Sequence, residues 1–349
     1  MPQFNRPAMQ NRLRNALNIG LLASLALFSA GEAQAQLTKR EQRHAWLQPD
    51  IKYVDQRSFS LGVTYGMTDL WADVGTKEVI DHYSSSDYWE NIKGMGGIFI
   101  KYTHIPGVAA RLGVSNGTLY ANDKWNESKA RSATNRYDDP VQRYYRNLDV
   151  KTNVWEGTFM FEISPFQAFG NWEFGKLANA RFQPYLMAGI GGIYFNPRGT
   201  LIKNFETGQK EWVDLRPLAT EGQNFDKPGY PEPYSRYAIV VPAGLGFRVD
   251  IGRSFAIGLE YVMRYTFTDY LDDVSGKYID PIRFDIAYID DPVKRSMARQ
   301  MADRTGELLP GVQNAPGSYR GDPSNNDMYS TISLNFYWRI TKKAIPWWR

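Results

Sequence analysis

The chain has 349 residues, with 41 Lys and Arg against 37 Asp and Glu, a formal charge of +4 and no cysteine. Interspersed charge this close to neutral gives nucleic-acid binding no support, and without cysteine there are no disulfides, thiolate metal sites or cysteine nucleophiles. The chain holds 22 Tyr, 18 Phe and 10 Trp, yet its mean hydropathy is negative, which suits the aromatic girdles of a membrane β-barrel and argues against helical insertion.

At the N-terminus Arg6, Arg12 and Arg14 precede an apolar run from Ile19 to Phe28 and then Ala33-Gln34-Ala35. That order predicts a secretory signal peptide over residues 1–35; the apolar run is about half the roughly 20 residues that a spanning helix needs. Position 36 is Gln rather than Cys, so no lipid anchor is expected there and the mature chain must meet a membrane with its own surface. Residues 36–57 are expected to form a periplasmic N-terminal segment.

Eight segments then alternate with period two, which puts successive side chains on opposite faces of a strand. Phe59, Leu61, Val63 and Tyr65 oppose Ser58, Ser60, Gly62 and Thr64, and Ile98, Ile100 and Tyr102 oppose Phe99, Lys101 and Thr103. Val108, Ala110, Leu112 and Val114 oppose Arg111, Gly113 and Ser115; Trp155, Phe159, Phe161 and Ile163 oppose Thr152, Glu156, Thr158 and Glu162. The stretch from Phe182 to Phe195 is apolar on both faces, so its facing stays open. Tyr237, Ile239, Val241, Ala243, Leu245, Phe247 and Val249 alternate with Gly244, Gly246, Arg248 and Asp250. The cleanest run is Phe255, Ile257, Leu259, Tyr261, Met263, Tyr265 and Phe267 against Ala256, Gly258, Glu260, Val262, Arg264 and Thr266. Last, Met328, Ser330, Ile332, Leu334, Phe336, Trp338 and Ile340 oppose Thr331, Ser333, Asn335, Tyr337 and Arg339.

About 10 residues cross a bilayer at a tilt, and eight strands are the minimum for an outer-membrane barrel. The expected fold is all-β, an eight-stranded antiparallel transmembrane β-barrel over residues 58–341 with four long extracellular loops at about 67–94, 120–148, 197–236 and 268–326. Tight turns at 104–107 and 250–254 fall at the alternate positions, as such barrels require; the turn at 165–180 is longer than usual. Asp290-Asp291-Pro292, followed by Val293, Met297, Met301 and Leu308, predicts an amphipathic helix in the fourth loop. Lys342, Lys343, Trp347, Trp348 and Arg349 close the chain as a basic, aromatic tail over 342–349, suited to interfacial anchoring or to a periplasmic docking peptide.

Eight strands leave an interior that side chains fill. The inward set carries Glu156, Glu162, Asp250 and Glu260 against Lys101, Arg111, Arg248, Arg264 and Arg339, so a cross-lumen ion network and a plugged lumen are expected. A serine hydrolase would need a base, and the only histidines are His44, His82 and His104. Asp81-His82-Tyr83-Ser84 in the first loop is adjacent in sequence, whereas triads are assembled across a fold. Gly189-Ile190-Gly191-Gly192 lies within a strand and is no phosphate loop. No catalytic residue, cofactor or small-molecule substrate is expected.

Two segments carry more than periodicity: Leu215-Arg216-Pro217-Leu218-Ala219-Thr220-Glu221-Gly222-Gln223, and Tyr265-Thr266-Phe267-Thr268-Asp269-Tyr270-Leu271-Asp272-Asp273-Val274-Ser275 with Tyr278 and Asp280. With Pro184-Tyr185, Phe195-Asn196-Pro197 and Pro242-Ala243-Gly244-Leu245-Gly246, the chain resembles the PorG family of outer-membrane barrels of the type IX secretion system. The resemblance runs over about residues 59–340 and is densest between 182 and 280. It implies a non-enzymatic core component of the secretion machine, set among outer-membrane lipids and contacting a periplasmic ring built from a lipoprotein and its partner. The chain departs from the family at Ala219, where Gly is expected, and runs past its last strand to Arg349.

Read as chemistry, Asp269, Asp272, Asp273 and Asp280 offer hard oxygen ligands that suit Ca²⁺, or they form turns by accepting from nearby backbone N–H groups. Thr220, Glu221 and Gln223 pose the same choice between ligand site and loop-to-loop brace. The function expected is assembly or anchoring in secretion; a surface barrel with adhesive or ligand-binding loops is the alternative, and a lipid hydrolase or acyltransferase using His82 is a third.

Overall fold

The computed structural model describes residues 58–78, 82, 86–169, 180–204, 206–223, 225, 230–251 and 254–340. The expected signal peptide, the 36–57 segment and the 342–349 tail lie outside the described residues. Among those described, nine strands form: β1 (Ser58–Trp71), β2 (Lys93–Ile105), β3 (Val108–Asn122), β4 (Asp149–Ile163), β5 (Phe182–Asn204), β6 (Gln209–Asp214), β7 (Tyr237–Asp250), β8 (Phe255–Thr266) and β9 (Met328–Ile340).

All neighbours pair antiparallel, with β1 joined to both β2 and β9, and β5 to both β4 and β7. Eight strands therefore close into a ring, which satisfies the wall's hydrogen bonds and leaves no edge; β6 pairs only with the far end of β5. The two-residue period sets the facing. In β4, Trp155, Phe159, Phe161 and Ile163 are exposed while Glu156, Thr158, Met160 and Glu162 are buried. The other strands repeat this, so a continuous apolar belt faces outward, a polarity that only lipid makes favourable. Among the described residues no helix is long and apolar enough to cross a membrane.

The strand whose facing was open turns Gln183, Tyr185, Met187, Ile193 and Phe195 inward and Phe182, Leu186 and Ile190 outward. Inside, bulky rings fit because glycines yield: a Cβ on Gly62 would lie 2.0 Å from the Phe99 ring.

Pro106-Gly107 joins β2 to β3, with Gly107 at φ 78, and β7 is joined to β8 between Asp250 and Phe255. The short turns share one end of the barrel with the start of β1 and the finish of β9, and the long loops occupy the other.

Several boundaries differ from expectation. β1 runs to Trp71, β2 starts at Lys93 and β3 runs to Asn122, so the first two loops are shorter than 67–94 and 120–148. β5 continues to Asn204 and pairs with β6 inside the expected 197–236 loop. Beyond the belt neither face meets lipid, so no amphipathic period marks these extensions. On β9, Tyr329 and Ser330 are both buried, since loops cover this end on both faces. The fourth-loop helix spans Pro292–Ala302, its start capped by Asp291 accepting from the Lys294 N–H at 2.8 Å. Its buried positions are Ala298, Met301 and Ala302, while Val293 is 69% exposed and Leu308 lies past its end. The helix is thus amphipathic over its second half only.

Candidate functional site

Charged side chains fill the lumen in two tiers. Nearer the short turns, Lys101 pairs with Glu162, and Arg111 donates to Glu260 Oε1 at 2.6 Å and stands 3.5 Å from Glu162. The hydroxyls of Tyr185 and Tyr337 donate to the same Glu260 oxygen at 2.6 and 2.9 Å. Nearer the long loops, Arg264 pairs with Glu156 at 2.5 Å and donates to the Thr331 hydroxyl at 2.9 Å, while Tyr329 donates to Glu156. Arg248 sits 3.8 Å from Asp250, which Arg339 also holds. Pairing and hydrogen bonding make such deep charges tolerable. The cavity left between Phe99, Arg111, Glu156, Glu260 and Arg264 measures about 30 Å³, which is space for a water or two rather than a pore.

Above the barrel, the described residues within 72–92, 123–148, 205–236 and 267–327 fold into one cap around a buried apolar core that includes Leu70, Val74, Trp125, Leu215, Leu271 and Phe284. Helices α1 (Asp139–Arg146), α2 (Ile282–Ala287) and α3 (Pro292–Ala302) contribute to it. Four buried arginines stitch the loops together. Arg146 donates to Asp123 at 2.8 Å through two nitrogens, and to the carbonyls of Arg320 and Asp73 at 2.6 and 2.7 Å. Arg143 donates to Asp139 at 3.0 Å and to the Asp73 carbonyl. Arg320 donates to Glu221 Oε1 at 2.9 Å and to the carbonyls of Asp273 and Ala302 at 2.8 and 3.2 Å. Arg304 pairs with Asp149 and, at 3.0 Å, with Glu307.

The two segments singled out in the sequence meet inside this cap. Asp273 accepts from the Thr220 hydroxyl at 2.6 Å and the Tyr234 hydroxyl at 2.5 Å, and Tyr234 stacks on Tyr270 at 4.4 Å. Glu221 accepts from the Ser275 and Gly276 N–H groups at 3.1 and 2.9 Å. The Gln223 side chain accepts from the Glu221 N–H at 3.0 Å, across Gly222 at φ 79. Asp272 accepts from the N–H groups of Val74 at 2.7 Å and Val274 at 2.9 Å, and Asp280 from that of Ile282 at 3.0 Å.

Asp269 differs: both its carboxyl oxygens are buried without a hydrogen-bond partner. Burial pushes it up to about 9, with the charges of Asp272, Asp73 and Glu221 adding. Burial and then Asp73 push Asp272 up to about 7. Burial, offset by Arg320, Thr220 and Tyr234, leaves Asp273 at about 6, and burial raises Asp327 well above the usual carboxylate range. Carboxyls crowded in this way hold protons in place of some charge. Among the described residues no group of three or more His, Cys, Asp or Glu is arranged to hold a metal ion.

His82 is fully buried, with Nδ1 2.7 Å from Asp69 and Nε2 3.0 Å from the Thr76 carbonyl, and it stacks on Trp71 at 4.7 Å. Both ring nitrogens are engaged, so neither is placed to take a proton from a nucleophile. Sequence reasoning did not find Asp73, Asp123, Arg143, Arg146, Arg304 or Arg320. Arg and Asp in loops read as solvated, and the signal that they are not, the shared apolar core beneath them, is long-range.

No family model matches the chain, and no curated protein does. Several solved structures match it. The attachment invasion locus protein Ail of Yersinia pestis, in complex with the heparin analogue sucrose octasulfate, matches at 9% identity over 82% of this chain and 99% of that one, with a TM-score of 0.32. Neisserial surface protein A matches at 8% over 80% and 96%, with a TM-score of 0.32. A major outer membrane protein from Thermus thermophilus matches at 9% over 81% and 99%, with a TM-score of 0.35.

Proposed function

We propose that this chain is a non-enzymatic outer-membrane barrel that works as a component of the type IX protein secretion machinery, anchoring or organising its periplasmic ring. The observation that carries the non-enzymatic part is a lumen filled by paired charges beneath a cap whose polar groups mostly bond one another: Glu260 takes three donors and Arg320 four acceptors. Such a body offers surfaces to partners instead of a conduit or a reactive cleft. The outward belt of Val63, Ile98, Leu112, Phe161, Ile257 and Phe336 supports placement among outer-membrane lipids.

The secretion role rests on the resemblance to the PorG family. The two segments that carry it bond each other through Thr220 and Asp273, so the resemblance falls on residues that set the cap. The periplasmic ring lipoprotein and its ring partner are the expected partners, met at the short-turn end. Crosslinking in native outer membranes followed by co-purification tests this: ring proteins should be enriched on the chain, and recovery of an extracellular partner alone refutes it.

One observation favours an adhesive surface barrel as the second reading. Ile282, Ile286, Ile289 and Val293 lie exposed along α2 and the start of α3, a larger apolar row than scattered surface residues make.

A further inference from the structure

We infer that the lipid-facing wall of β3, β4, β5 and β7 holds a site for one acyl chain and phosphate of an outer-leaflet glycolipid of the lipid A type. The inference rests on the membrane placement proposed above. Gly157 and Gly192 are partners in the β4–β5 register and both face outward. A Cβ on Gly157 would meet nothing within 4 Å, and one on Gly192 only the Ala238 carbonyl at 4.0 Å. The glycines are therefore not there to relieve crowding; they leave a floor one side chain deep. On the same rung Val114 pairs with Gly157 and Ile239 with Gly192, which gives the dent two apolar walls.

One rung toward the long loops, Trp155, Tyr194 and Tyr237 line up across β4, β5 and β7, the two tyrosine rings 5.1 Å apart. They overhang the dent at the level where aromatics mark a membrane interface. The groove is shallow and open along the wall, with a volume of about 480 Å³.

What lies above the dent names its occupant. Continuing outward on the same face, the next rung is Asn153 with Asn196, and the one after is Lys151 with Arg198. Four residues of strand put these cations roughly 13 Å past Trp155, at about 3.3 Å per residue, where headgroups begin. Arg236 stands between, donating to the Tyr194 hydroxyl at 3.4 Å, its Nε buried without a partner. The carboxylate among them is Asp214, 3.0 Å from Arg198 and also accepting from Asn196 at 3.0 Å. An apolar trough, an aromatic lintel, an amide rung and a cationic rim in that order match an acyl chain, its glycerol- or sugar-level polar groups and a phosphate. The excess of cations selects an anionic lipid over a zwitterionic one, and the long-loop end selects the outer leaflet.

Native mass spectrometry of the detergent-purified full-length protein tests this, with lipid A and phosphatidylethanolamine offered separately. Wild type should keep a lipid A adduct under activation that strips phosphatidylethanolamine. Gly157→Leu, which fills the dent, and the double variant Lys151→Ala with Arg198→Ala should each lower the adduct about ten-fold while heat-modifiable gel migration is retained; if Gly157→Leu does not migrate as a folded barrel, the double variant decides. A folded wild type without a lipid A adduct, wild-type adduct levels in the variants, or equal retention of the zwitterionic lipid overturns the inference. A wild type that shows no heat-modifiable migration overturns the membrane placement instead, and the inference with it.

Discussion

Replacing Arg320 by Ala should open the cap and leave the barrel closed. The guanidinium is 3% exposed and holds Glu221 Oε1, the Asp273 carbonyl and the Ala302 carbonyl. Removing one member of a buried pair costs about 3–5 kcal/mol, mainly through the charge left behind. Here Glu221 keeps two backbone donors, at Ser275 and Gly276, which places the loss near the lower bound, about 3 kcal/mol. At about 1.4 kcal/mol per decade that is a roughly hundred-fold larger local opening constant. Hydrogen exchange read by mass spectrometry should show faster exchange in peptides covering 215–223 and 269–280, with the β-strands and heat-modifiable migration unchanged. Glu221→Gln combined with Arg320→Met should recover part of the protection, since neither substitution then strands a charge. Cap peptides of Arg320→Ala that exchange within about two-fold of wild type would show that this lattice does not hold the loops.

The raised carboxyls of Asp269, Asp272 and Asp273 contribute stability that is full below the unfolded value of 3.8 and lost as pH rises through about 9, 7 and 6 respectively. Limited proteolysis of the loops should accordingly quicken from acid toward pH 9, and Asp269→Asn should flatten the trend; equal resistance across that range refutes it. Planar-bilayer recordings of the wild type should show no stable conductance, given a lumen cavity of about 30 Å³; reproducible open steps contradict the sealed lumen. Ala219 sits at φ 52, so Ala219→Val should weaken the cap by about 2 kcal/mol while Ala219→Gly stays within about 1 kcal/mol. Thermal unfolding of the cap measured by hydrogen exchange separates the two.

The barrel was readable because lipid imposes a strict two-residue rule on each spanning strand. The run from Phe255 to Phe267 shows it most clearly, and the inward Glu156, Glu260 and Arg264 follow from the same parity. The period fades where lipid ends, which is why the sequence places the strand over Phe182 to Phe195 although β5 continues to Asn204. Facing between Phe182 and Phe195 was open because Met187, Ile193 and Phe195 are apolar yet inward, packed against other side chains and not against lipid. In the cap, the Thr220–Gln223 and Asp269–Asp273 segments were visible, but their meeting was not. Neither was the burial of Arg146 and Arg320, which depends on pairings across 174 positions of chain. The departure at Ala219 has a physical content that resemblance alone lacked: the position is left-handed, the region that favours glycine.

The lumen pairs also bear on shape. Arg111 and Glu260 lie on β3 and β8, and Glu156 and Arg264 on β4 and β8, walls that share no hydrogen-bonded seam. A cylinder stitched only along its staves can flatten under lateral pressure; one with struts across its bore stays round. Lateral pressure from the surrounding bilayer is thus carried by the interior charges as compression, and the loop platform above keeps its footing as the membrane around it thickens or thins.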